Sequence, residues 1–162
     1  HISQAIFADL SPHALEVATS NYTRIIADTR TGQDKLVISN LLAHTDIQRI
    51  LSSSSKLWPT LIVANLPYIP DYLFDENADP TVHDREPRMA FIGWNDWLDL
   101  YRVMFGQTRE YTADTVDNNV VFFLEMMTRQ VDILRKEYPN RVFEEIKTFH
   151  FNIRIVRAHI AK

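Results

Sequence analysis

Apolar residues along the chain gather in short blocks, and the period inside each block changes from one to the next. Gln4 to Ala8 is short and apolar and predicts a strand. It runs into Asp9-Leu10-Ser11-Pro12, where Ser11 suits a helix N-cap and Pro12 the first helical position. The helix that follows carries Ala14, Leu15, Ala18 and Tyr22 on one face and ends before the polar stretch Asp28 to Lys35. Leu36 to Ser39 predicts a second strand. Thr45 caps a brief helix with Ile47, Ile50 and Leu51 inward, and Ser52 to Ser55 is a loosening connection. Leu61-Ile62-Val63-Ala64 is apolar without alternation, which predicts a strand buried on both faces, as in a parallel sheet between helices.

From Asn65 to Gly93 the prolines Pro67, Pro70, Pro80 and Pro87 predict largely irregular chain, and loops of this length inside a domain are usually functional or mobile. Asn95 is a cap for a helix in which Trp97, Leu98, Tyr101, Met104 and Phe105 form one wide apolar face. Val120 to Leu124 is another doubly buried strand and Thr128 to Tyr138 another helix. Val142 to Ile160 reads as two strands joined by a tight turn near His150 to Asn152. Single strands alternating with single helices, closed by a carboxyl-terminal hairpin, predict an open α/β sheet. At 162 residues one domain is expected, and the start at His1, close to a strand, reads as a fragment.

Composition narrows the classes. With 46% apolar and 23% charged residues the balance is that of a globular chain, so disorder is set aside. The apolar runs are far shorter than the roughly 20 residues of a membrane-crossing helix. Without cysteine the sequence has no disulfide framework and no thiolate metal site, nothing at its start reads as a secretion signal, and a cytoplasmic setting is the default. The formal charge of −4 makes a phosphate backbone a weaker partner than a protein or a small molecule. Arg135, Lys136 and Arg141 are read as a solvated face.

In open α/β sheets ligands bind beyond the carboxyl ends of the strands, which draws attention to Asp9, Asn40 and Asn65-Leu66-Pro67-Tyr68. An acid at the position of Asp9 can accept hydrogen bonds from the two hydroxyls of a ribose, or it can simply support the helix entry at Ser11. The side-chain oxygen of Asn65 and the carbonyl of Leu66, held extended by the following proline, make two acceptors. Two acceptors match an NH2 group, which carries two donors, and Tyr68 offers a flat wall beside it. The alternative for Asn65 is a loop residue closing an Asx-turn.

Ala64-Asn65-Leu66-Pro67-Tyr68-Ile69-Pro70 resembles the motif of amino-group methyltransferases written (D/N/S)-P-P-(Y/F), and its trailing Ile-Pro is typical of the HemK-like glutamine amide N-methyltransferases that modify peptide-chain release factors. Glu86-Pro87-Arg88-Met89-Ala90-Phe91, followed by Gly93, Asp96, Leu98, Asp99, Tyr101 and Arg102, is similar to that family's "EPRLAL…GG.DGLD.YR". Ala8-Asp9-Leu10-Ser11-Pro12-His13-Ala14-Leu15-Glu16-Val17-Ala18 is similar to its "A.DIS..AL.VA", and Val121 to Glu125 with the closing strand pair matches its last three strands.

The resemblance implies a Rossmann-like class I methyltransferase fold with strand order 3-2-1-4-5-7-6, of which this chain lacks the first strand. It implies S-adenosyl-L-methionine as cofactor, with Asp9 on the ribose hydroxyls, Leu10 on the adenine, Asn40 where an acid commonly meets the adenine amino group, and Asn65 among the cofactor-binding residues as well. It further implies a substrate glutamine amide held by Asn65 and the Leu66 carbonyl, shaped by Pro67, with Tyr68 alongside. The partner is then a protein, a release factor foremost. Metal plays no part, and an adenine amino group on nucleic acid or a non-catalytic binding module are the alternatives. The chain departs from the family pattern in three ways. Its only glycines, Gly32, Gly93 and Gly106, lack the G-x-G spacing of the cofactor loop. Leu66 replaces the first proline of the motif, a form also seen in ribosomal RNA adenine dimethyltransferases. Trp94 and Trp97 stand where small glycines are usual, and Asn40 where an acid is.

Overall fold

The computed structural model describes residues 4–25, 33–53, 59–70, 72, 74, 86–93, 97–111, 119–146 and 153–160. The expected cap at Asn95 and the expected turn near His150 to Asn152 lie outside the described residues, as do Gly32, Pro80, Trp94 and Asp96. The chain is of the α/β class, and it divides into two compact units, residues 1–50 and 51–162.

The first unit is a parallel β-α-β arrangement. Strand β1 (Ile6–Asp9) pairs with β2 (Lys35–Ile38) so that Asp9 stands opposite Ile38, and helix α1 (Pro12–Ile25) makes the crossover. The helix starts where the pattern places it: the Ser11 hydroxyl accepts the Ala14 N–H at 3.2 Å. Leu15 is buried, with Ala14, Ala18 and Tyr22 half-buried on the same face. Asp34 ties the unit together, accepting the Ala5 N–H at 2.7 Å with one oxygen and the Tyr22 hydroxyl at 2.9 Å with the other. Helix α2 (Thr45–Ser53) turns Ile47 and Leu51 inward as expected and crosses the boundary between the units. Near its start Lys35 lies 2.7 Å from Asp46, and that hydrogen bond holds the Asp46 carboxyl below its usual range.

The second unit is built on a four-stranded mixed sheet in the order β3-β4-β6-β5. Strand β3 (Thr60–Ala64) runs parallel to β4 (Val120–Met127), while β6 (Ile153–Ile160) is antiparallel both to β4 and to β5 (Arg141–Ile146). Between β3 and β4 come a short 3-10 turn (Arg88–Ala90) and helix α3 (Asp99–Tyr111), and after β4 comes α4 (Thr128–Glu137). The interior side chains of β4 are Val120, Phe122, Leu124 and Met126, all fully buried. Leu98, Tyr101, Met104 and Phe105 supply the apolar face expected of α3 and its lead-in, and Val131 and Leu134 that of α4. The Phe105 ring meets Phe122 and Tyr138 edge-on, each at 5.1 Å between centroids.

Three expectations are corrected here. Strand β3 is not buried on both faces: Leu61 is 56% and Val63 75% exposed. Among the described residues it stands at the end of the sheet, and because both of its sets of side chains are apolar, no alternation in the sequence could reveal the open face. Trp97 is not on the helical face of α3 but precedes it with φ 66°, a left-handed conformation that breaks the helix period. Arg141 does not belong to a solvated face with Arg135 and Lys136. It is 8% exposed, with its guanidinium 4.9 Å from the centre of the Phe105 ring and 5.4 Å from that of Phe122. The apolar floor of the sheet receives this cation through the ring faces.

Among the described residues no helix is long and apolar enough to cross a membrane.

Candidate functional site

In the first unit two candidate positions lie at neighbouring strand ends. Asp9 closes β1, and Asn40 follows β2 two residues beyond Ile38, the register partner of Asp9. Asp9 is exposed and one carboxylate oxygen accepts the Ser11 N–H at 2.8 Å, so it does support the helix entry. A carboxylate has about four acceptor sites, so this bond leaves capacity for further donors. Leu10, beside it, is 53% exposed. Asn40 is exposed, and its backbone carbonyl accepts the Ala43 N–H at 3.2 Å. The Ser39 hydroxyl holds the same turn, donating to the Leu41 carbonyl at 2.7 Å.

Asn65, Leu66, Pro67 and Tyr68 belong to the second unit and follow directly on β3. The segment grades from outside to inside: Asn65 is exposed, Leu66 and Pro67 are half-buried, and Tyr68 is 9% exposed. The Tyr68 hydroxyl donates to Glu125 Oε1 at 2.7 Å, which fastens the segment to the carboxyl-terminal half of the neighbouring strand β4. The Tyr101 hydroxyl donates to the Glu125 backbone carbonyl at 2.5 Å. Burial, reinforced by the Glu125 carboxylate, raises the Tyr68 phenol well above its usual range; burial raises that of Tyr101 too, with Tyr68 and Glu125 adding to it and the Leu66 backbone opposing. Both phenols are therefore neutral donors at physiological pH. The residue whose ring is expected to lie beside a substrate amide also anchors the segment through its hydroxyl.

The backbone of the segment is gripped as well. Ile69 N–H donates to the Phe91 carbonyl at 2.8 Å and Ile69 bridges to Ile92. Gly93 is buried against the segment, where an added Cβ would stand 2.6 Å from the Pro67 carbonyl oxygen. Gln130 is 1% exposed and donates through Nε2 to the Tyr68 carbonyl at 3.1 Å and to the Trp97 carbonyl at 3.2 Å. Its Oε1 accepts the Met127 N–H at 2.8 Å, so the amide at the head of α4 is satisfied on both sides. Asn65 accordingly stands on a short segment whose far end is fixed by Glu125, Phe91, Ile92, Gly93 and Gln130.

Glu125, Gln130 and Tyr101 were not among the residues expected at this site. An acid inside the otherwise apolar strand Val120–Met127 was a legible signal of a buried partner. Gln130 carried no such signal, because a glutamine in a helix reads as a surface residue until its burial is known.

No protein-family model matches the chain, and no curated protein matches it.

Proposed function

We propose that the chain is part of a Rossmann-like class I methyltransferase, which transfers the methyl group of S-adenosyl-L-methionine to the side-chain amide nitrogen of a protein glutamine, with a peptide-chain release factor as substrate. The observation that carries this reading is Asn65, exposed at the carboxyl end of a parallel strand on a segment fixed from behind by Tyr68, Gly93 and Gln130. An amide nitrogen is a poor nucleophile because its lone pair is delocalised. Acceptors from the Asn65 side chain and the Leu66 carbonyl hold its two N–H donors, orient the nitrogen and stabilise the charge that develops on it, and one of those two protons leaves to solvent once the nitrogen carries the methyl group.

The strand arrangement favours the same reading. In the family order 3-2-1-4-5-7-6 the second and third strands are neighbours, and the fourth to seventh follow one another as 4-5-7-6. The two sheets of the described residues have those partners, and the strand at the sixth place is antiparallel to both its neighbours. The residues of the first unit fit the cofactor by their chemistry: an exposed carboxylate at Asp9 for ribose hydroxyls, and exposed Leu10 for the face of an adenine. When bound, the cofactor supplies an electrophilic methyl on sulfur. An adenine amino group presents the same pair of donors, but the formal charge of −4 weighs against a nucleic-acid substrate.

In the intact protein, Asp9→Ala is expected to weaken cofactor affinity by about 1.5–3 kcal/mol, the scale of hydrogen bonds to a charged group, and to leave the fold intact. Calorimetric titration with S-adenosyl-L-methionine measures it. Unchanged affinity in a well-folded variant would reduce Asp9 to its bond with Ser11.

A further inference from the structure

We infer that Gln130 is the positioning residue of the Asn65 segment, acting on it from α4 through a single side-chain amide. Its Nε2 donates to the Tyr68 carbonyl, and the N–H of that same peptide group, on Ile69, donates to Phe91. The peptide plane between Tyr68 and Ile69 is therefore held on both sides and cannot rotate without losing both bonds. The second donation reaches the carbonyl of Trp97, the residue at φ 66° that leads into α3. A bulky residue in that region is strained and persists only where its surroundings fix it. One buried glutamine thus joins the segment after β3 to the lead-in of α3, and Gly93, whose missing Cβ lets the Pro67 carbonyl come close, lies between them in sequence. No other residue type does this as well: the amide needs its oxygen for the Met127 N–H and its nitrogen for two carbonyls. Burial makes the bond to Tyr68 decisive, because the Tyr68 carbonyl, once released, lacks water to replace the lost donor.

That Gln130 fixes the segment stands on the geometry alone; that this governs methyl transfer rests on the reading of the preceding subsection. The two are separated by measuring both in the intact protein. Gln130→Glu keeps an oxygen for the Met127 N–H and removes the donors, while Gln130→Met removes both and avoids a buried charge. In either folded variant, amide exchange at Ile69 is expected to speed up by about ten-fold or more, with the amides of β4 unchanged. The kcat for methyl transfer is expected to fall by about ten-fold or more, with the dissociation constant for S-adenosyl-L-methionine within about two-fold of the parent. Unchanged exchange at Ile69 in both variants overturns the inference whatever the protein catalyses. Faster exchange with unaltered kcat overturns the positioning role and leaves a purely structural clamp. Faster exchange in a protein whose parent transfers no methyl group upholds the clamp and rejects the proposed function.

Discussion

Asn65→Ala in the intact protein is expected to lower kcat by about 10²–10³, the usual cost of removing one group that stabilises developing charge, while cofactor affinity changes little. The variant should fold normally, because the Asn65 side chain is exposed and what fixes the segment lies beyond it, at Tyr68, Gly93 and Gln130. Asn65→Asp is the sharper companion. It keeps an acceptor at the same place and adds a negative charge, and the amino-group methyltransferase motif that the segment resembles admits an acid there, so partial activity is expected. Steady-state rates with a glutamine-containing peptide, paired with cofactor titrations, distinguish the two. Near-normal rates for both would leave Asn65 as a residue that shapes the loop.

The second large effect concerns stability. Gly93→Ala is expected to destabilise the second unit by about 1–3 kcal/mol, because the new methyl group would meet the Pro67 carbonyl oxygen at 2.6 Å and the Trp97 Cα at 2.9 Å. Both are backbone atoms, so no side chain can rotate to make room; the Asn65 segment or the lead-in of α3 has to move. Gly106→Ala is the matched control. It lies in α3 with nothing within 4 Å of the added Cβ, and relief of the glycine penalty in a helix should stabilise by roughly 0.5–1 kcal/mol. Urea denaturation of the two variants beside the parent measures the difference. A Gly93→Ala protein as stable as the parent would mean that the segment after β3 yields easily, which contradicts the fixed platform described for Asn65.

The elements most legible in the sequence were those governed by local chemistry. Ser11 and Pro12 place the start of α1, Leu15 marks its inward face, and the spacing of Leu98, Tyr101, Met104 and Phe105 marks that of α3. The segment Asn65 to Tyr68 drew attention as a candidate because a polar residue directly after an apolar strand, with Leu66 held extended by Pro67, places two acceptors side by side. What escaped was set by contacts distant in sequence. The open face of β3 depends on which strand lies at the edge of the sheet. The burial of Arg141 depends on two aromatic rings from α3 and β4. Tyr68 looked like a wall for a ligand, and its attachment to Glu125 spans 57 positions of chain. Gln130 reaches back 62 positions to Tyr68, so nothing near it in sequence announces the contact.

The central claim is tested most directly by incubating the intact protein with methyl-labelled S-adenosyl-L-methionine and a glutamine-containing peptide from a release factor, then locating the label by mass spectrometry. The account predicts one methyl group on the glutamine side-chain amide, with the demethylated cofactor formed in equal amount and both products nearly lost in Asn65→Ala. Cofactor binding without methyl transfer to the amide would contradict it.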